Sequence, residues 1–195
     1  MPVYRLTEQL LFPPVHLANP DGLLAVGGDL SPERLLLAYK LGIFPWYTSG
    51  SPILWWSPDP RMVLFLGDLR ISRNLKKVLR KKQFDLSVNR SFREVIRACA
   101  LTRLEKEEGT WITPKMVEAY CQLNKMGYAH SIEVWHMSQL VGGCYGIALG
   151  HCFFGESMFS IMDNASKVAL VHLVEVLNGL DFLLIDCQVP SDHLE

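Results

Sequence analysis

A chain of 195 residues, 49% apolar and 20% charged, has the balance of a globular protein that buries a proper core, as one domain or one domain with a small appendage. Its net charge of −1 names no partner, and no apolar run approaches the roughly 20 residues that cross a bilayer. MPVYRLTEQL has neither the basic start nor the long apolar stretch of a secretory signal, and five cysteines without a C-x-x-C pair read as reduced cytoplasmic thiols, with no disulfide framework or zinc site.

Residues 1–60 are rich in Pro, Gly and aromatics, and are expected to form a small α+β module of turns and short strands. Within it Ser31 is a helix N-cap and Pro32 occupies the first helical position, so a helix runs through ERLLLAYKL and stops at Gly42. From residue 61 the pattern becomes regular. MVLFL is a strand; SRNLKKVLRKK is a helix capped by Ser72; FDLSVN is a strand; SFREVIRACAL is a helix capped by Ser91. A polar loop, TRLEKEEGTW, leads to a helix that starts at Thr113 and Pro114 and ends at Gly127. AHSIEVWHM and QLVGGCYGIALG form a hairpin, and HCFFGESMFS is another strand. The greasiest region is punctuated by His172, Glu175, Asn178, Gly179 and Asp181, so it divides into a helix capped by Asn164 or Ser166, a turn at Gly179, and the strand FLLIDCQV. The order β-α-β-α-α-β-β-β-α-β predicts a mixed α+β layered fold without internal repeats.

Four segments stand out chemically. RISRNLKKVLRKKQ, residues 70–83, holds Arg70, Arg73, Lys76, Lys77, Arg80, Lys81 and Lys82 and no acid. On a helix Arg73, Lys76, Lys77, Arg80 and Lys81 share one face, opposite Ile71, Leu75, Val78 and Leu79. Solvated faces usually mix signs; this one does not, which is the footprint of a phosphate backbone bound without base readout. Trp55 and Trp56 read as core covers, whereas Trp46 and Trp111 sit in turn-rich contexts where a ring stacks on a base or lines a pocket. In HCFFGESMFS, Gly155 marks a close approach, and Glu156 is a carboxylate among apolar neighbours. In LLIDCQVPSDH, strand alternation puts Asp186 and Gln188 on one face and Cys187 on the other. That pair is either a satisfied structural network or the floor of an active site. A Cys187–His193 nucleophilic pair is disfavoured by the same alternation.

Taken together, NPDGLLAVGGDLSPERLLLAYKLGIFPW, ILWWSPDPRMVL, EEGTWITPKMVEAY, HSIEVW, LVGGCYGIALG, FGESMFS, NASKVAL, LIDCQV and DHL resemble the leucyl/phenylalanyl-tRNA–protein transferases along nearly the whole chain. Two departures are that the family continues some tens of residues past Glu195, and that Cys144, Leu173 and Leu177 stand where some relatives carry bulkier residues. The resemblance implies a small N-terminal domain, 1–60, followed by a GNAT-like mixed-sheet acyltransferase domain, 61–195. It implies transfer of Leu or Phe, with Met a third candidate, from aminoacyl-tRNA to the N-terminal α-amine of proteins beginning with Arg or Lys, in the N-end rule degradation pathway. No cofactor or metal is expected, because the donor ester is already activated, and nothing in the chain suggests more than a monomer.

For the site, the resemblance implies that the Gln188 carbonyl receives the attacking amine while Asp186 holds the amide NH2. Cys144, Phe153, Gly155, Met158, Ser160, Leu173, Leu177 and Ile185 would line the aminoacyl pocket, with Tyr120 and Glu156 near the polar atoms. Trp46 and Trp111 would hold the terminal adenosine, the basic helix the acceptor stem, and Glu156 and Asp186 would be counter-charges for the acceptor's cationic residue. Two rivals remain: an acetyl-CoA-dependent acetyltransferase, disfavoured because FSIMDNASK lacks the glycines of a pyrophosphate turn, and a non-catalytic tRNA-binding protein.

Overall fold

Residues 3–105 and 110–189 are described in a computed structural model of the chain; positions 106–109 of the polar loop, and His193 with the rest of DHL, lie outside the described residues. In the N-terminal part, Ser31 accepts from the Arg34 N–H at 3.4 Å and Pro32 begins α1 (Pro32–Lys40), as the cap pattern predicts. Around it β1 (Tyr4–Leu6), β2 (Leu23–Gly27), β3 (Phe44–Pro45) and β4 (Leu54–Trp56) form a mixed sheet ordered β1-β2-β4-β3. The fully buried Arg34 fastens the first strand's outgoing turn: its Nη2 donates to Thr7 O at 2.9 Å and its Nε to Asp29 at 3.2 Å.

The rest of the chain gives β5 (Met62–Phe65), α2 (Arg73–Arg80), β6 (Asp85–Val88), α3 (Phe92–Glu105), α4 (Pro114–Lys125), β7 (Ala129–His136), β8 (Gln139–Leu149), β9 (Cys152–Ser160), α5 (Ala165–Asn178) and β10 (Leu184–Gln188). This is the element order that sequence periodicity predicts. The fold is mixed α+β, with a second mixed sheet ordered β5-β10-β9-β8-β7-β6 in which only β9 and β10 run parallel. The crossover between that pair is α5.

Three local expectations are corrected. Helix α3 runs past Leu101 to Glu105, because Arg, Leu and Glu are good helix formers and no Gly or Pro intervenes before Gly109. Helix α2 ends at Arg80, with Lys81 as its C-cap and Lys82 left-handed at φ 48°. Asn164 occupies the N-cap of α5 at φ 67° but makes no side-chain cap bond. The Ser166 N–H is taken instead by Ser160 Oγ, at 3.1 Å.

Two apolar cores flank the larger sheet. One joins Leu24, Leu35 and Trp55 of the N-terminal part to Ile96 of α3, Tyr120 of α4, and Tyr145, Phe154 and Phe159 on the sheet. The other packs Leu75 of α2 and Val168, Leu173 and Leu177 of α5 against Cys144, Phe153 and Ile185. Between them the parallel pairing of β9 with β10 runs Cys152–Leu184, Phe153–Ile185, Phe154–Asp186 and then stops, although both strands continue. A wedge opens there, bounded by two bulges. On β9, Gly155 pairs with Gly146 and Ser157 with Tyr145, leaving Glu156 over; on β10, Asp186 pairs with Val63 and Gln188 with Met62, leaving Cys187 over. A bulge re-aims side chains, so period-2 alternation fails at both places. The β9 bulge needs glycine opposite: a Cβ on Gly146 would run into Phe154 O and the Phe153 ring.

Candidate active site

Glu156 lies at the head of the wedge, and three neutral donors converge on it. Tyr39 OH donates to Oε1 at 2.6 Å, Gln188 Nε2 to the same oxygen at 2.9 Å, and Tyr120 OH to Oε2 at 3.0 Å. The two phenol oxygens also lie within hydrogen-bond distance of each other, so their two protons are shared among three contacts. Among the described residues no basic group pairs with this carboxylate. Burial pushes its pKa above the ordinary carboxyl value, and the nearby Asp186 charge adds to the rise; the bonds from Tyr39, Gln188 and Tyr120 oppose it. Burial, then the Glu156 charge, holds both phenols well above the ordinary tyrosine value, so they remain donors.

Gln188 crosses the wedge from β10. Its Nε2 is the atom that meets Glu156, so the amide turns its carbonyl oxygen elsewhere. The backbone here is left-handed, φ 66°, and its N–H donates to Asp186 Oδ1 at 2.9 Å. Asp186 therefore touches Gln188 through the main chain, and the sequence-based expectation that Asp186 holds the amide NH2 is corrected: Glu156 does so. Asp186 is engaged by Arg61, whose Nε lies 2.9 and 2.8 Å from its two oxygens. The reason is the bulge at Cys187, which removes the shared face that alternation assumes.

A cavity of about 180 Å³ occupies the wedge. One end is aromatic, with Phe44, Pro45, Trp46 and Trp111; the Trp46 and Trp111 ring centroids are 5.9 Å apart, edge to face. Of the other lining residues, Cys144, Phe153, Gly155, Met158, Leu170, Leu173 and Ile185 are apolar, and Cys144, Phe153, Leu173 and Ile185 belong to the α5 core. Glu156, Ser157 and Gln188 supply polar atoms. Ten expected residues thus meet at one cavity: Trp46, Trp111, Cys144, Phe153, Gly155, Glu156, Met158, Leu173, Ile185 and Gln188.

Four do not line it. Tyr120 stands behind Glu156, and Asp186 is turned to Arg61. Ser160 is exposed and serves the start of α5, donating to Met162 O as well as accepting from Ser166. Leu177 is buried in the α5 core, and Leu170, one turn before Leu173, lines the cavity instead. Helical spacing from Leu173 points equally to 170 and 177, so sequence could have offered both. Tyr39 and Arg61 carried no local signal, because their partners lie 117 and 125 residues away. Cys187, expected to face the core, lines the cavity too, but burial and Asp186 push its thiol up to about 11, which leaves it protonated at neutral pH.

On the surface, Arg73, Lys76, Lys77, Arg80 and Lys81 are all exposed, while Leu75 beneath them is buried. No acid pairs with them among the described residues. Among those residues, too, no helix is long and apolar enough to cross a membrane, and no group of three or more His, Cys, Asp or Glu is placed to hold a metal ion.

Residues 63–195 match the family model described as leucyl/phenylalanyl-tRNA protein transferase, and residues 28–59 match the model of that family's N-terminal domain. The chain is 62% identical over 195 residues to the leucyl/phenylalanyl-tRNA–protein transferase of Syntrophobacter fumaroxidans, covering 100% of this chain and 83% of the relative. It is 58% identical over 190 residues to the enzyme of the same name from Azotobacter vinelandii, covering 96% and 84%. A conserved protein of unknown function from Bacteroides thetaiotaomicron shares the fold at a TM-score of 0.51 and 12% identity, over 69% of this chain and 52% of that one.

Proposed function

The chain belongs to the leucyl/phenylalanyl-tRNA–protein transferase family and is an aminoacyltransferase acting on aminoacyl-tRNA and protein; for its chemistry we propose that Gln188, held by Glu156, receives the attacking amine. The acceptor is the α-amine of a protein that begins with Arg or Lys. An α-amine has a pKa of about 7.7–8.0, so a useful fraction is already a nucleophile at neutral pH. Gln188 Oε1 accepts one of its N–H groups and aims the lone pair at the ester carbonyl. The C–N bond forms, the bond from the carbonyl carbon to the ribose oxygen breaks, and the proton lost by nitrogen ends on that oxygen. An amide carbonyl is too weak a base to keep the proton, so Gln188 aligns and polarises rather than abstracts. The ester is already activated, and the step needs no coenzyme or metal.

The division of labour follows the cavity. Its aromatic end takes the terminal adenosine against Trp46 and Trp111, and its apolar end takes the amino acid side chain. An apolar cavity of about 150 Å³ holds benzene, so the wedge of about 180 Å³ accommodates a phenyl or an isobutyl group when the adenosine lies at its aromatic mouth, where Trp46 is 39% exposed. Leu, Phe and Met are unbranched at Cβ and pass a narrow neck that Ile and Val do not. Of the two expected counter-charges for the acceptor's Arg or Lys, Asp186 is already balanced by Arg61, which leaves Glu156. The residues to 60 carry part of the adenosine site and those from 61 the transfer chemistry. The enzyme works as a cytoplasmic monomer, in the N-end rule pathway of protein degradation.

What carries the reading is the Glu156–Gln188 bond across the cavity that splits β9 from β10. The test is transfer of labelled Leu or Phe from charged tRNA to a peptide beginning with Lys or Arg. Incorporation is expected with both donors; consumption of acetyl-CoA with no use of leucyl-tRNA would favour an acetyltransferase, and binding without transfer a passive tRNA-binding protein.

Two further results bear on the substrate contacts. Changing Lys76, Lys77 and Arg80 together to Glu should weaken tRNA binding and flatten its dependence on log salt by about 2–3 units, since each phosphate contact contributes about 0.7–0.9. An unchanged slope in a titration series would place the tRNA elsewhere. Met158→Trp should lower kcat/KM for Phe by about tenfold more than for Leu, the scale on which pocket volume discriminates. Equal losses with both donors would move the pocket off this cavity.

A further inference from the structure

We infer that Arg61 is a positioning residue for aminoacyl transfer, a clasp that fixes the backbone of Gln188 through Asp186. The inference rests on the proposed role of Gln188. Arg61 comes just before β5, and its guanidinium binds three parts of the molecule at once. Nε donates to both Asp186 oxygens, at 2.9 and 2.8 Å; Nη1 donates to Gly42 O, at 2.7 Å; and its carbon lies 5.3 Å from the centroid of the Phe44 ring, which lines the cavity. Gly42 is the left-handed residue (φ 73°) after α1, the helix that carries Tyr39. One cation thus joins the N-terminal part that supplies a donor to Glu156 with the strand that supplies Gln188.

The need for a clasp follows from the backbone of β10. At Gln188 the pairing with β9 has ended, the register against β5 has slipped, and φ is 66°, a conformation an ordinary residue keeps only when its surroundings hold it there. The Gln188 N–H donates to Asp186 Oδ1, and the Val189 N–H folds back to Cys187 O, at 2.8 Å. Asp186 is 5% exposed and would be an uncompensated buried charge without Arg61. The guanidinium does what a point charge does not: its one Nε–H is shared by both carboxylate oxygens while Nη1 is tied to Gly42 O, so the plane from which the carboxylate is met, and with it the direction in which Oδ1 meets Gln188, is fixed. The amide is then held at both ends, its backbone by Asp186 and its NH2 by Glu156. Neutralised this way, Asp186 also does not compete with Glu156 for the acceptor's cation.

Arg61→Ala and Arg61→Lys test this. Arg61→Ala is expected to lower kcat by about 100-fold, the effect of misplacing a catalytic group by about 1 Å, with KM for leucyl-tRNA nearly unchanged. Added guanidinium should restore part of the rate, while ammonium should not. Arg61→Lys keeps the charge pair and therefore the fold; its kcat should fall by about tenfold, a single geometric interaction of about 1.4 kcal/mol. In both variants hydrogen exchange at the Gln188 N–H should accelerate while that of Ile185 in the ladder does not, a change that a general loss of stability would not confine to one amide. Wild-type kcat and Gln188 protection in Arg61→Lys, or an Arg61→Ala variant that loses tRNA affinity as steeply as rate, would overturn the inference. Full activity in Gln188→Ala would instead overturn the role of Gln188, and the exchange data would still decide whether Arg61 holds the turn.

Discussion

Gln188→Ala is expected to lower kcat for aminoacyl transfer by about 10²- to 10⁴-fold, the range typical of a group that handles a proton in the transition state, and to leave the affinity for charged tRNA nearly intact. The separation follows from where the residue lies. Gln188 is 8% exposed, and its NH2 is occupied by Glu156, so the group it can offer a substrate is one carbonyl oxygen at the cavity. In the proposed reading the rest of the donor is held by other groups: rings at the aromatic end, methyls and methylenes at the apolar end, cations on α2. Removing Gln188 deletes none of these. Loss of affinity in parallel with rate, measured by equilibrium binding of leucyl-tRNA beside single-turnover transfer, would assign Gln188 to binding.

Glu156→Gln should give two opposite effects, a loss of activity of about 10²-fold or more and a gain in stability at alkaline pH. The activity loss arises because a glutamine at 156 can offer Gln188 either an oxygen or an NH2, so the amide at 188 no longer has one orientation; removing one fixed electrostatic partner of this kind lowers rates by about 10²–10³. The stability gain follows from the sign of the pKa shift. The groups facing the carboxyl are Tyr39 from α1, Tyr120 from α4, and Gln188 and Asp186 from β10, and their bonds only partly offset its burial. A carboxyl whose folded pKa is raised contributes stability below its unfolded pKa and loses that contribution as pH rises through the folded value. As pH rises through that folded value, the wild type therefore acquires a buried charge that the variant lacks. Thermal melts should show Glu156→Gln the more stable at pH 8, with the difference shrinking toward pH 4. The acid limb of the wild-type kcat/KM profile should lie above the ordinary glutamate range and vanish in the variant. A variant less stable at pH 8 would mean that the three donors outweigh the burial.

How far the sequence could be read depends on the range of each interaction. The caps at Ser31–Pro32 and Thr113–Pro114 are local, with Ser31 Oγ reaching Arg34 N and Thr113 Oγ1 reaching Met116 N, so both helices start where the pattern predicts. The same holds for the order of strands and helices, set by periods of 2 and 3.6. Alternation then fails at Cys187, because a bulge is a property of two strands and not of one. The failure moves the amide's partner from Asp186, two residues away, to Glu156, 32 residues away. Arg61 was invisible for the same reason: SPDPR looks like an ordinary turn until the fold brings it to β10. Ser160 shows the reverse case, a residue at a pocket position in the chain that folding assigns to a helix start.

The most direct test is a crystal structure with leucyl-adenosine in which a stable amide replaces the ester. The leucyl side chain should lie among Cys144, Phe153, Met158 and Leu173, the adenine against Trp46 and Trp111, and the carbonyl in the wedge, with Gln188 Oε1 facing the side from which an amine would approach. A Gln188 amide turned so that its NH2 meets the ligand, or an analogue bound outside the gap between β9 and β10, would contradict the mechanism.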